Sequence, residues 1–123
     1  MNNLAETIPD IEKAYTRIKP YIHKTPLLHS SLLNEMLSSK IYFKMDAVQK
    51  TGAFKIRGVL NHLLVLREKG KMPKKIVAYS TGNHALAMSY AAKLFGIEAR
   101  VYLPENVSPI KKRIAKYYGA NVV

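Results

Sequence analysis

From Ile76 to the end of the chain one pattern returns: a short apolar run, a turn of small or polar residues, then a helix-forming stretch. Ile76, Val77, Ala78 and Tyr79 form the first run. STGNHA over 80–85 follows at once and leads into an alanine-rich helix to about Phe95, closed by Gly96. Residues 99–103, ARVYL, form the second run. Ser108 and Pro109 then open a helix in the usual order of cap before proline. Gly119 ends that helix, and 121–123, NVV, begin a third run. Strand, loop and helix alternating at roughly 20 residues per unit is the mark of βαβ crossovers and a parallel sheet. The expected fold class is therefore α/β, a parallel sheet with flanking helices. A wholly apolar run such as 76–79 is expected to be buried on both faces. The third run has no helix after it, so the sheet is expected to be incomplete and the chain to be the N-terminal part of a longer one.

The first half is less regular. A helix is expected over about 9–19, with Pro9, Asp10 and Glu12 in its first turn and Pro20 beyond its end. Residues 24–28, KTPLL, read as extended, because a residue before proline avoids the helical region. Ser30 or Ser31 caps a short helix to about Leu37. Residues 41–45 read as a strand and 46–53 as a loop. Ile56, Val59, Leu60, Leu63 and Leu64 then mark one apolar face of a helix that runs to about Lys69, with Gly70 after it.

Lysine and arginine together number 20 against 8 acids, a net charge of +12. The basic residues are scattered over several elements, and charge alone says little about a specific partner. Nucleic-acid binding is kept as a remote alternative, and no nucleic-acid partner is expected. No apolar stretch is long enough to span a membrane. The opening MNNLAETIPDIEKA is polar and acidic, unlike a secretory signal. The absence of cysteine fits a cytoplasmic enzyme. His23, His29, His62 and His84 show no ligand-like spacing, so no metal site is expected.

Two stretches carry chemistry. Lys55 sits in TGAFKIRG over 51–58, at the first turn of the helix just described. A helix N-terminus favours anions, so a lysine there makes sense beside something anionic or aldehydic. The dipole and loss of solvent would both favour the free amine, the nucleophilic form. Arg57 is either a surface residue or a pin that fixes the loop by hydrogen bonds. The second stretch, 80–84, lies where ligands bind in parallel sheets, beyond the C-terminal end of a strand and before a helix. Its small residues let backbone N–H groups approach a carboxylate or phosphate. The Asn83 amide can donate to a ring oxygen. His84 is either catalytic or, more commonly at a helix start, a packing or capping residue.

TGAFKIRG with STGNHA after the next strand resembles the fold-type II pyridoxal-phosphate enzymes, most of all the threonine/serine dehydratases and serine racemases. KTPLLHSS at 24–31, IYFKMDAVQKTGAFK at 41–55 and LPENVSPIKKRIAKYYGANVV at 103–123 resemble further pieces of that family in the same order. Asp46 stands where Glu is usual. The resemblance implies the tryptophan synthase β-like fold. Residues 1–53 would belong to its large domain, and 54–123 to its small α/β domain, cut short at the C-terminus. It implies pyridoxal 5'-phosphate as cofactor, held by Lys55 as a Schiff base, with Phe54 packed beside it and Asn83 bonded to its ring oxygen. Ser80, Thr81, Gly82 and His84 would hold the substrate carboxylate. The implied reaction is an ammonia-lyase (dehydratase) turning L-threonine or L-serine into a 2-oxo acid and ammonia. An amino-acid racemase and an inactive truncated product are the alternatives. Thr81 stands where racemases generally carry Ser and dehydratases often Ala. The family's glycine-rich phosphate loop, the residue facing the pyridine nitrogen and its metal-binding acids would all lie beyond Val123. The expected partners are a small amino-acid substrate and, at full length, further copies of the chain, with no membrane involved.

Overall fold

A computed structural model describes residues 4–123, with side chains from Asp10 onward. Its elements are α1 (Leu4–Ile18), a 3-10 turn (Lys19–Tyr21), β1 (Leu27–His29), α2 (Ser31–Met36), β2 (Tyr42–Lys44) and a second 3-10 turn (Asp46–Val48). Then come α3 (Lys55–Glu68), β3 (Lys75–Tyr79), α4 (Asn83–Phe95), β4 (Glu98–Tyr102), α5 (Pro109–Tyr117) and β5 (Asn121–Val122). The first helix begins earlier than the proline signal suggests. Pro9 lies inside α1 rather than at its first position. Ser30 caps α2, its Oγ accepting the Leu33 N–H at 3.3 Å. Ser108 stands at the cap of α5 with Pro109 next, but its hydroxyl makes no cap bond.

β3, β4 and β5 form a parallel sheet in sequential order, with Ile76 opposite Ala99 and Ala78 opposite Val101. Sequential parallel strands joined by right-handed crossovers place their helices on one face. That face is the core. Ile76, Ala78, Ala99 and Val101 join Ile56, Leu60, Leu63 and Leu64 of α3 and the alanines of α4 in one cluster. Ala85, Ala87 and Ala91 have no exposed surface. Their small side chains let α4 lie close to the sheet and to α3 at once. Gly96 ends α4 in the left-handed region, at φ +66°, where a Cβ is disfavoured.

Burial of 76–79 on both faces is not what the structure has. Val77 is 58% exposed and Tyr79 76%, so β3 alternates buried and open. The helices cover only the Ile76 and Ala78 side; across the sheet, Tyr102 and Val123 are open with Val77 and Tyr79. The first half adds a small antiparallel pair, β1 with β2, in which Leu28 faces Phe43. Ile18 of α1 belongs to the same cluster as Ala120, so one core runs from the first helix to the start of the last strand. No helix among the described residues is long and apolar enough to cross a membrane.

Candidate active site

Lys55 is the first residue of α3, and Phe54 is its cap residue. The first turn of α3 holds no acid, so nothing in it neutralises the amine. The Lys55 Nζ lies 5.0 Å from the centre of the Phe54 ring. Both side chains are exposed. The expected loss of solvent at Lys55 is thus not present.

The loop before Lys55 is held by two polar clamps. In the first, Arg57 donates to Asp46 from two nitrogens, Nε to Oδ2 and Nη2 to Oδ1, each at 2.7 Å. The buried Thr25 hydroxyl donates to the same Oδ1 at 2.7 Å and accepts from Arg57 Nη2 at 3.2 Å. Lys44 Nζ adds a bond to the Thr25 carbonyl. A planar guanidinium matching both carboxylate oxygens is a strong arrangement. Its Arg57 hydrogen bonds hold the Asp46 carboxyl down at about 2 against the partial burial that opposes them, with help from Thr25 and from the Arg57 and Lys44 charges. Arg57 is raised in turn, first by the same hydrogen bond. Of the two sequence readings of Arg57, the pin is the one the structure has.

The second clamp is Gln49, only 4% exposed. Its Oε1 accepts the His23 and Lys50 N–H groups at 2.8 and 3.0 Å, and its Nε2 donates to the His23 carbonyl at 2.9 Å. Thr25, Asp46 and Gln49 are not among the site residues expected from the sequence. Each sits in a motif that the sequence displays, but their joint role depends on contacts 11 to 32 residues apart.

The 80–84 loop stands opposite. Gly82 precedes α4 with φ +146°, a backbone that residues with a Cβ rarely adopt. Its N–H donates to Ser80 Oγ at 3.1 Å. No side chain caps α4. Among the described residues, the N–H groups of Asn83, His84 and Ala85 have no acceptor, which leaves three aligned donors for an anion. Lys55 and His84 come together: Phe54, Lys55, Arg57, Gly58, Val59 and His84 line one cavity of about 300 Å³. His84 is held below its usual pKa, first by burial and then by the Lys55 charge beside it. Thr81 and Asn83 are exposed, and the Asn83 amide makes no hydrogen bond to Lys55 or Phe54. A lysine amine and an aromatic ring at one cavity, with His84 from the uncapped start of α4 in its wall, suit a ligand that joins an aldehyde to acidic groups, as pyridoxal phosphate does.

The family model described as "Pyridoxal-phosphate dependent enzyme" matches residues 18–123. Serine racemase of Bos taurus is 45% identical over 116 residues, covering 93% of this chain and 35% of the bovine protein. L-threo-3-hydroxyaspartate ammonia-lyase of Saccharomyces cerevisiae is 39% identical over 120 residues, 98% of this chain and 36% of the yeast protein. The crystal structure of a T.th. threonine deaminase superposes with a TM-score of 0.79 at 45% identity, over 94% of this chain and 36% of that one. The chain therefore spans about a third of the length of the relatives it matches. Lysine, loop and sheet occur here in one order and one geometry, and the chain belongs to the pyridoxal-phosphate-dependent enzymes of fold type II.

Proposed function

We propose that this chain supplies the lysine-bearing part of an ammonia-lyase acting on L-threonine or L-serine. The observation that carries the reading is the shared cavity of Lys55 and His84, with the uncapped start of α4 at its side. Pyridoxal phosphate, when bound, supplies the electron sink that makes an amino acid's Cα–H acidic. Lys55 holds the cofactor through its Nζ, and Phe54 packs beside it. The substrate carboxylate binds at 80–84, on the free N–H groups of α4. Displaced by the substrate amine, the Lys55 amine would take the Cα proton; the β-hydroxyl would leave with a proton as water, and the resulting enamine, once tautomerised to an imine, would be hydrolysed to a 2-oxo acid and ammonia. Neutral His84 adds no positive charge beside Lys55, which keeps the amine basic. The clamps on Asp46 and Gln49 hold the lysine loop in place throughout.

Racemisation of serine is the second reading, favoured by the identity to serine racemase. There a second acid returns the proton on the opposite face, and the exposed Thr81 hydroxyl is the candidate within this chain. The reactions separate by product: 2-oxo acid and ammonia, or D-serine. We further propose a cytoplasmic location and, at full length, a homo-oligomer.

The test uses the purified 123-residue protein with added pyridoxal phosphate. The expected result is a visible Schiff-base band, absent from Lys55→Ala, that borohydride abolishes while leaving the cofactor covalently fixed to the protein. No band dependent on Lys55 would defeat the reading for this chain.

A further inference from the structure

One basic residue of the 103–123 stretch reaches the 80–84 loop. Lys111 lies in the first turn of α5, where its N–H donates to the Ser108 carbonyl at 2.9 Å. Its side chain runs back across Gly82. A Cβ placed on Gly82 would stand 2.5 Å from Lys111 Cδ and 2.7 Å from Nζ. The missing side chain of Gly82 is thus the seat of the Lys111 ammonium. Among the described residues Lys111 takes part in neither an ion pair nor a side-chain hydrogen bond, although it is half-buried. Directly after Gly82, the first three residues of α4, Asn83, His84 and Ala85, hold unspent N–H groups. An ammonium beside these donors is repelled by them unless an anion lies between. Long basic side chains at a surface usually turn their charge to water; this one is laid over Gly82 without a hydrogen bond to the loop.

We propose that Lys111 is a second anchor for the substrate carboxylate, binding it from above while the start of α4 binds it from below. This rests on the reading that 80–84 holds that carboxylate. Lys111 is then an affinity residue that moves no proton. Gly82 is required twice, for its backbone conformation and for the space Lys111 fills.

Acetate serves as the bare carboxylate probe, titrated into the nitrogen-15-labelled 123-residue protein while the Asn83, His84 and Ala85 amide signals are followed. Wild type, Lys111→Gln and Lys111→Arg are compared, each with a spectrum unchanged outside 80–84 and the start of α5. The expected result is saturable movement of these amides in wild type. The acetate dissociation constant should rise about three- to tenfold in Lys111→Gln, as for loss of one partly exposed charge pair, and recover in Lys111→Arg. Equal affinity in wild type and Lys111→Gln, or no movement of the loop amides in wild type, would overturn the proposal. The pyridoxal phosphate band is recorded on the same samples. A Lys55-dependent band with acetate binding indifferent to Lys111 sinks the anchor and leaves the enzyme reading intact. Acetate binding that needs Lys111 in a protein with no such band does the reverse.

Discussion

Asp46 is where a single proton reaches furthest into the lysine loop. It holds Arg57 two residues past Lys55 and Thr25 on the segment before β1. Its folded pKa of about 2 lies below the ordinary 3.8. The depressed value means that the clamp's contribution is complete above about pH 4 and is lost as pH falls through about 2. The shift corresponds to about 2 kcal/mol. Asp46→Asn should cost about 2–3 kcal/mol at neutral pH, since Arg57 loses its charged partner while half-buried. Chemical denaturation between pH 2 and 5 checks this: the wild-type acid slope should shrink in the variant. Asp46→Glu, the residue usual in the family, should recover most of the loss. His84 tests the other side of the site. Burial is the leading cause of its lowered pKa and Lys55 the second, so stability should fall as pH drops from about 6.5 through the folded value. In Lys55→Ala, the imidazole titration followed by NMR should move up only part of the way. Full recovery of the ordinary value would mean that charge, not burial, governs it.

At the scale of elements, α3 joins chemistry to core. One face carries Ile56 and Leu60, neither with exposed surface, while its first residue is Lys55. Leu60→Ala should cost about 2–5 kcal/mol, read as a lowered denaturation midpoint, and should weaken pyridoxal phosphate binding by loosening the turn that presents Lys55. A destabilisation of that size with unchanged cofactor affinity would separate the two roles. This helix is legible from spacing, because Ile56, Val59, Leu60, Leu63 and Leu64 recur at the helical period and are the five residues that the structure buries. The order β3, α4, β4, α5, β5 is legible for the same reason. The start of α1 is not: proline marks a common first position, not an obligatory one. Nor are the clamps, since a hydrogen bond from Arg57 to Thr25 spans 32 residues and leaves no local pattern. Lys111 lies in the 103–123 stretch that resembles the family, but nothing local in the sequence says that its side chain crosses Gly82.

The whole molecule has two unlike sides. On one, helices cover the sheet and a single cluster runs from Ile18 to Ala120. On the other, Val77, Tyr79, Tyr102 and Val123 are open. The apolar residues at 76–79 suggest two covered faces, but a run of apolar side chains says how many could be buried and not how many are. Open apolar surface on a sheet favours association. The 123-residue protein should therefore self-associate as its concentration rises, through this face. Val77→Lys with Tyr79→Lys should suppress it with little loss of stability, since both side chains already face solvent and neither joins the core. Sedimentation velocity over a concentration series measures the first effect, and thermal unfolding at low concentration the second. Association unchanged in the double variant would place the contact elsewhere, and a large fall in melting temperature would mean that this face is packed in solution. Lys55 and the 80–84 loop lie at the C-terminal end of the same sheet, so the variant should also keep the Lys55-dependent absorbance of the wild type if site and open face act independently.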